Sequence, residues 1–285
     1  MPVRILLAVS YLESRWQPHG DSPSVDGGYG LMNLTAKTFP AVDDRGDPAR
    51  PVPPAVTLDR THYTLDEAAR VLNVSPATLK TDERQNIRGA AALLARYARS
   101  LSGGSLPAAL GNWYGAVADY SGATDMGSAQ LFADDVFGAL RRGASLTSTD
   151  GQTLDLAATP GLQPNRSQIA RLDLRPAAAT STTVDCPSTV NCRWAPAAYA
   201  LNSSTDLSDY GNYDLARRPS NMLDPSGQTV SMKIKYIIIH DTEGSYAGAI
   251  STFQNSANYV SANYVIRSSD GAITEMVRPH SVSWG

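Results

Sequence analysis

No apolar run in this chain of 285 residues approaches the length of ~20 needed to cross a bilayer. Runs such as Ile5-Leu6-Leu7-Ala8-Val9 and Tyr236-Ile237-Ile238-Ile239 are far shorter, so no transmembrane helix is encoded in it. An excess of positive charge is also missing. Lys and Arg number 24 against 27 Asp and Glu, a net charge of −3, whereas proteins that grip phosphate backbones carry a basic footprint. Nucleic acid is thereby excluded as a partner class. Charged residues total 18%, below the usual quarter or so, yet the 42% hydrophobic share is ordinary and predicts packed cores. Cysteine is scarce: Cys186 and Cys192 enclose five residues, with no other Cys and no nearby His to complete a metal site. A local disulfide, and with it an oxidising compartment, is preferred over two free thiols. The N-terminus lacks the h-region and cleavage site of a signal peptide, since its apolar stretch runs straight into Ser10-Tyr11-Leu12-Glu13. Either the protein is cytosolic or its start lies upstream of Met1.

The length predicts two units joined by a linker. From Arg4 to Trp16 apolar residues recur at helical spacing, which places Glu13 in the final turn before Pro18 and a Gly/Ser/Pro/Asp-rich stretch. Residues 40–60 read as a long loop. Thr64-Leu65-Asp66-Glu67 has capping-box spacing, Ser75-Pro76 is an N-cap and N1 pair, and Asp82–Leu101 has few breakers. With Asn112–Tyr120 and Ser128–Arg142, residues 1–143 are expected to form an all-α domain. Residues 144–230, dominated by Thr, Ser, Ala, Pro, Asn and Asp, read as an irregular linker ordered around the cysteine loop. Residues 231–285 then open an α/β domain in the order β-α-β-β. Its parts are a buried strand Ile234–His240, a helix Tyr246–Gln254, a strand Asn263–Arg267, a Ser-Ser-Asp-Gly turn and a strand Ala272–Val277. About 55 residues are too few to bury such a core, so the domain is expected to continue beyond Gly285.

Taken alone, Glu13 is a solvated group at a helix end and the glycines are a permissive loop. Their context is more specific. Glu13-Ser14-Arg15-Trp16-Gln17-Pro18, Gly27-Gly28-Tyr29-Gly30-Leu31-Met32-Asn33-Leu34, Asn86-Ile87-Arg88-Gly89 and Tyr114 to Gly122 stand in that order over about 110 residues. Together they resemble the lysozyme-like soluble lytic transglycosylases. The resemblance implies that Glu13 is the single catalytic acid, that Tyr29, Gly30, Met32 and Asn33 line a sugar cleft, and that Tyr120 hydrogen-bonds Glu13. Asn33 stands where that family usually has Gln. Protonating a glycosidic oxygen requires a carboxylic acid set among apolar walls such as Met32, acting first as acid and then as base. A lytic enzyme needs no second carboxylate, because the sugar's own hydroxyl closes on the anomeric carbon, whereas a hydrolase would draw on one such as Asp21 or Asp26. Lys80 and the arginines of 84–99 read as a solvated helix face.

A lone His at the end of an apolar strand is more often a packed or edge residue than a ligand. Here Lys235 to Gly244, with Ser261 to Gly271 and Val282-Ser283-Trp284, resembles the opening third of the zinc-dependent N-acetylmuramoyl-L-alanine amidases, the amidase type 2 and peptidoglycan-recognition-protein family. The resemblance implies zinc as cofactor, with His240 as one ligand of three and a bound water directed at an amide carbonyl. It departs from the pattern at Asn263 and Gly285, where His is common. His280 reads as incidental, and Tyr246 either lines the site or packs its helix. Both resemblances imply one polymer, bacterial peptidoglycan, and hence a secreted cell-wall hydrolase. The alternative is a peptidoglycan-binding protein whose clefts hold glycan without cutting it.

Overall fold

The computed structural model describes residues 1–17, 20–24, 27–36, 63–147, 151–176, 184, 186–197, 237–242, 244–255, 260–277 and 283. They form two compact units, the first within Met1–Thr38, Leu58–Ala177 and Thr242–Gly248, the second within Ala178–Asp241 and Ala249–Gly285. The architecture is mixed: helices dominate the first unit, and small sheets occur in both.

The first unit opens with α1 (Val3–Ser14), which ends where Arg15 and Trp16 adopt left-handed backbone angles, φ 53° and 58°. Side chains rarely take that conformation, so two in succession stop the helix. The Trp16 indole then donates back to the Leu7 carbonyl at 2.9 Å, folding the chain along the helix it has just left. A hairpin of β1 (Gly28–Tyr29) and β2 (Leu34–Thr35) follows. Next come α2 (Thr64–Leu72), α3 (Pro76–Thr81), α4 (Glu83–Leu101), α5 (Tyr114–Tyr120) and α6 (Met126–Arg142). Ser75 caps α3 at the Thr78 N–H (3.1 Å), Asp82 caps α4 at Gln85 (3.1 Å) and Asp125 caps α6 at Ser128 (2.9 Å). Such a cap contributes about 1 kcal/mol by satisfying an N–H that the helix cannot. α4 buries Ala90, Leu93, Leu94, Tyr97 and Leu101 and packs on α2, α3 and α5. α6 packs on α5 and α1.

Three expectations differ from what is found here. The capping box at Thr64 does not form, because the Thr64 hydroxyl instead accepts the Thr35 N–H at 2.7 Å, tying α2 to β2. The glycine-rich stretch holds a hairpin, too short to show any alternation. Residues 144–176, expected as linker, carry β3 (Ala144–Thr147) paired with β4 (Thr153–Leu156) and a 3-10 turn at Arg166–Arg171. Their few apolar side chains, Leu156, Leu162, Ile169 and Leu172, are buried in the helical core. The Gln168 amide completes that docking, accepting the Gly115 N–H at 2.8 Å and donating to the Asn112 carbonyl at 3.0 Å.

In the second unit β5 (Cys192–Trp194), β6 (Tyr264–Ile266) and β7 (Ile273–Glu275) form a three-stranded sheet in the order β5-β7-β6. β6 and β7 are antiparallel, joined by a turn in which Asp270 accepts the Ala272 N–H at 3.1 Å and Gly271 takes a left-handed φ of 72°. The helix α7 spans Tyr246–Gln254 as expected. The buried strand Ile234–His240 needs correcting over its described part. Residues 237–240 lie in no strand, and Ile237, Ile238 and Ile239 are 86%, 77% and 89% exposed. β7 already has β6 on one edge and β5, parallel, on the other. Among the described residues, 237–240 join none of the ladders of this sheet. Residues 234–236 lie outside the described residues.

Candidate functional site

Glu13 stands in the last turn of α1 and is only 7% exposed, a rare state for a carboxyl group without partners. The Asn33 amide donates to Glu13 Oε2 at 3.1 Å, so the loop after α1 returns to the helix end that carries the acid. Asn33 reaches it from a left-handed backbone, φ 50°, a conformation that Asn tolerates better than most residues. Its amide is held the right way round by Ser24, whose hydroxyl donates to Asn33 Oδ1 at 2.8 Å and accepts the Gly28 N–H at 3.0 Å. Gly28 has no alternative. A Cβ there would lie 1.7 Å from Asn33 Oδ1, which is possible for no side chain.

Asn86, fully buried on α4, fixes the rest of the loop. It donates to the carbonyls of Tyr29 (2.9 Å) and Leu79 (3.0 Å) and accepts the Met32 N–H (3.0 Å). Gly30, at φ 66°, lies so close that a Cβ would come within 2.6 Å of the Asn86 amide. Met32 is buried beneath the loop and Tyr29 lies half-buried, with the Lys80 ammonium 4.1 Å from its ring. Lys80, expected as part of a solvated face, therefore covers an aromatic ring.

Tyr120 joins this cluster, but not by the bond its resemblance implies. Its hydroxyl donates to the Met32 carbonyl at 2.6 Å, and its relation to Glu13 is electrostatic. Burial, then the Glu13 charge, then Tyr97 hold the phenol well above its ordinary pKa. Tyr120 is thus a neutral hydrogen-bond donor at neutral pH. Glu13, Asn33, Met32 and Tyr120 are brought together, with Tyr29 and Gly30 on the same loop. Asp21 is exposed, and Asp26 lies outside the described residues. Two members escaped sequence reasoning in these roles. Ser24 carries no sequence signal of its own, whereas Asn86 stood in a quoted motif as a polar residue at an apolar helix position.

The second candidate region is less assembled. His240 is exposed and lies outside any strand. Of the four histidines, His19, His62 and His280 lie outside the described residues. Among the described residues, donors within metal-binding reach gather at Cys186, Cys192 and Glu275, all within 4.8 Å, and not around His240. The cysteines form the expected disulfide, with Cα atoms 6.2 Å apart. The described residues therefore do not fit a zinc centre built on His240, and no chemical step is derived through one. Asn263, where the resemblance has His, braces the hairpin end: it donates to the Val277 carbonyl at 3.3 Å and accepts from the Ser283 hydroxyl at 2.9 Å.

Comparison with known proteins places the second region in a family context. Residues 230–285 match the family model described as N-acetylmuramoyl-L-alanine amidase. Over 56 residues the chain is 54% identical to N-acetylmuramoyl-L-alanine amidase A of Achromobacter lyticus, covering 20% of this chain and 32% of that protein. The chain thus spans about a third of the length of the curated relative it matches. No solved structure matches it.

Proposed function

We propose that this protein is a secreted bacterial cell-wall hydrolase, an N-acetylmuramoyl-L-alanine amidase that cleaves the amide between N-acetylmuramic acid and the stem peptide of peptidoglycan. The match over residues 230–285 carries this reading. Zinc is the cofactor it implies, with His240 as a ligand. The disulfide Cys186–Cys192 fits an extracellular location.

The helical unit extends the reading to the glycan strand, supported by the buried, amide-anchored carboxyl of Glu13. Glu13 would protonate the glycosidic oxygen and then recover the proton from the attacking hydroxyl. Asn33 holds the carboxyl in place, Ser24 orients Asn33, and Tyr120 holds the backbone at Met32. Tyr29 and Gly30 would line the saccharide path. A second reading, glycan binding without amide cleavage, is favoured by the exposure of His240 and the absence of a donor set around it among the described residues.

Product analysis separates these. The full chain, supplied with zinc, is incubated with purified peptidoglycan and the soluble products are weighed by mass spectrometry. Free stem peptides, lost in His240→Ala, establish the amidase. New sugar ends, lost in Glu13→Gln, establish glycan cleavage, and anhydro ends mark it as lytic. Saturable binding with neither product overturns both activities and leaves the binding reading.

A further inference from the structure

β5 brings two cysteine sulfurs to a buried carboxylate. Cys192 opens β5 opposite Ile273 of β7, Trp194 faces Glu275 two residues on, and the disulfide returns Cys186 to the same place. Glu275 has no exposed surface, and one carboxylate oxygen and both sulfurs lie within 4.8 Å of one another. Two thiolates and a carboxylate are donors of the kind that zinc takes. The geometry points to a redox-gated site for a borderline-soft divalent cation, zinc above all, formed by Cys186, Cys192 and Glu275 when the disulfide is reduced.

The distances allow it. Zinc–sulfur bonds of about 2.3 Å and zinc–oxygen bonds of about 2.0 Å in a tetrahedron put donors about 3.5–3.8 Å apart. The three groups are already within 4.8 Å, so the sulfurs part from bonding distance to about 3.8 Å while the carboxylate draws in around the ion. The intervening residues 187–191 are exposed, with Asn191 held to β7 where its carbonyl accepts the Ile273 N–H at 2.9 Å. Charge is conserved at the buried position. A carboxylate beside a disulfide carries −1, and a carboxylate with two thiolates around a dication also carries −1. Loading therefore adds no net charge to the interior, where an uncompensated one would be expensive.

The chemistry balances with an external dithiol as reductant. The dithiol gives two electrons and two protons, the Cys186–Cys192 bond breaks to two thiols, and the dithiol becomes a disulfide. The metal then displaces the two thiol protons. An external disulfide reverses the step: it takes two electrons from the two thiolates, is itself reduced to a dithiol with two protons from solvent, and the re-formed Cys186–Cys192 bond releases the ion and restores the clip on β5. This site contains no imidazole and is separate from His240, so it stands or falls apart from the amidase reading.

Cobalt(II), a coloured stand-in for zinc, tests it in the full chain. The protein is reduced anaerobically with a phosphine, the release of two thiols is counted, retention of fold is checked by circular dichroism, and Co(II) is titrated in. The expected result is one equivalent bound, with a thiolate-to-cobalt charge-transfer band that zinc bleaches and that the disulfide form never shows. Cys186→Ser with Cys192→Ser removes the band. Glu275→Gln keeps the band and weakens binding about tenfold or more, since loss of a supporting group alone costs that much. A folded, fully reduced chain with no band overturns the site. So does a band whose affinity Glu275→Gln leaves unchanged. Both of those outcomes are read without the cysteine variants, so a double variant that fails to fold leaves the test intact.

Discussion

At Glu13 the decisive feature is how its carboxyl group is held. A general acid contributes roughly 10²–10⁴ in rate, so Glu13→Gln should lower the formation of new sugar ends by at least two orders of magnitude while leaving glycan binding in place. Asn33→Ala removes the amide that donates to Glu13 and should slow the same reaction about tenfold, the size of one hydrogen bond to a charged group. Ser24 orients Asn33, so part of the Ser24→Ala effect should be lost in the Asn33→Ala background, a coupling that a double-mutant cycle measures directly. Tyr120 predicts a different outcome. Its pKa is raised, so it stays protonated through neutral pH. Tyr120→Phe should leave the pH–rate profile between about 5 and 9 unmoved, while costing about 1–3 kcal/mol of stability by removing the donor to the Met32 carbonyl. A displaced pH optimum in Tyr120→Phe would make it a proton carrier and overturn this assignment.

At the scale of elements, the loop from Gly28 to Asn33 is shaped from outside itself, by Asn86 on α4. Three hydrogen bonds from one buried amide hold Tyr29, Met32 and the end of α3. Asn86→Ala should therefore destabilise the helical unit by about 3 kcal/mol, read by denaturant unfolding, and should loosen the loop enough to lower activity along with stability. Gly30→Ala should do comparable damage through both its φ of 66° and its clash with the same amide. Legibility in the sequence follows this division between local and distant causes. Ser75-Pro76, α7 and the Asp270-Gly271 turn are decided by neighbours along the chain, and each is found as expected. Thr64 fails as a capping residue because a distant strand, through Thr35, claims its hydroxyl. The 237–240 run reads as a strand by composition, but a strand also needs a partner ladder, which composition does not specify. The sequence motifs named Glu13, Asn33 and Tyr120 as candidates, which the structure brings together, whereas the Ser24–Asn33–Glu13 chain depends on three-dimensional closure and leaves no trace in spacing.

Across the whole molecule, two buried phenols make stability depend on alkaline pH. Tyr114 and Tyr120, at the two ends of α5, both have raised pKa values; burial is the leading cause for each, reinforced at Tyr114 by its 2.9 Å bond to Asp134. Below an unfolded-state value near 10 both states keep their protons and pH has no leverage. Above it the unfolded chain loses two protons that the folded unit retains, so the unfolded state binds fewer and stability falls as pH rises. Each tyrosine then removes about 1.4 kcal/mol per pH unit until its folded pKa is reached, close to 3 kcal/mol per unit for the pair. Tyr114→Phe and Tyr120→Phe should each flatten the decline by about half. The slope is the quantity to compare, because Tyr114→Phe also loses the bond to Asp134 and lowers stability at every pH. Both phenols belong to the helical unit, so a scanning calorimeter at pH 11 should show that unit's transition moving down. Sugar-end formation should then fail before any chemistry of the second unit does. A stability curve that is flat between pH 10 and 12 would mean that α5 opens enough to let both hydroxyls ionise in place, and the packing described around Glu13 would not survive that result.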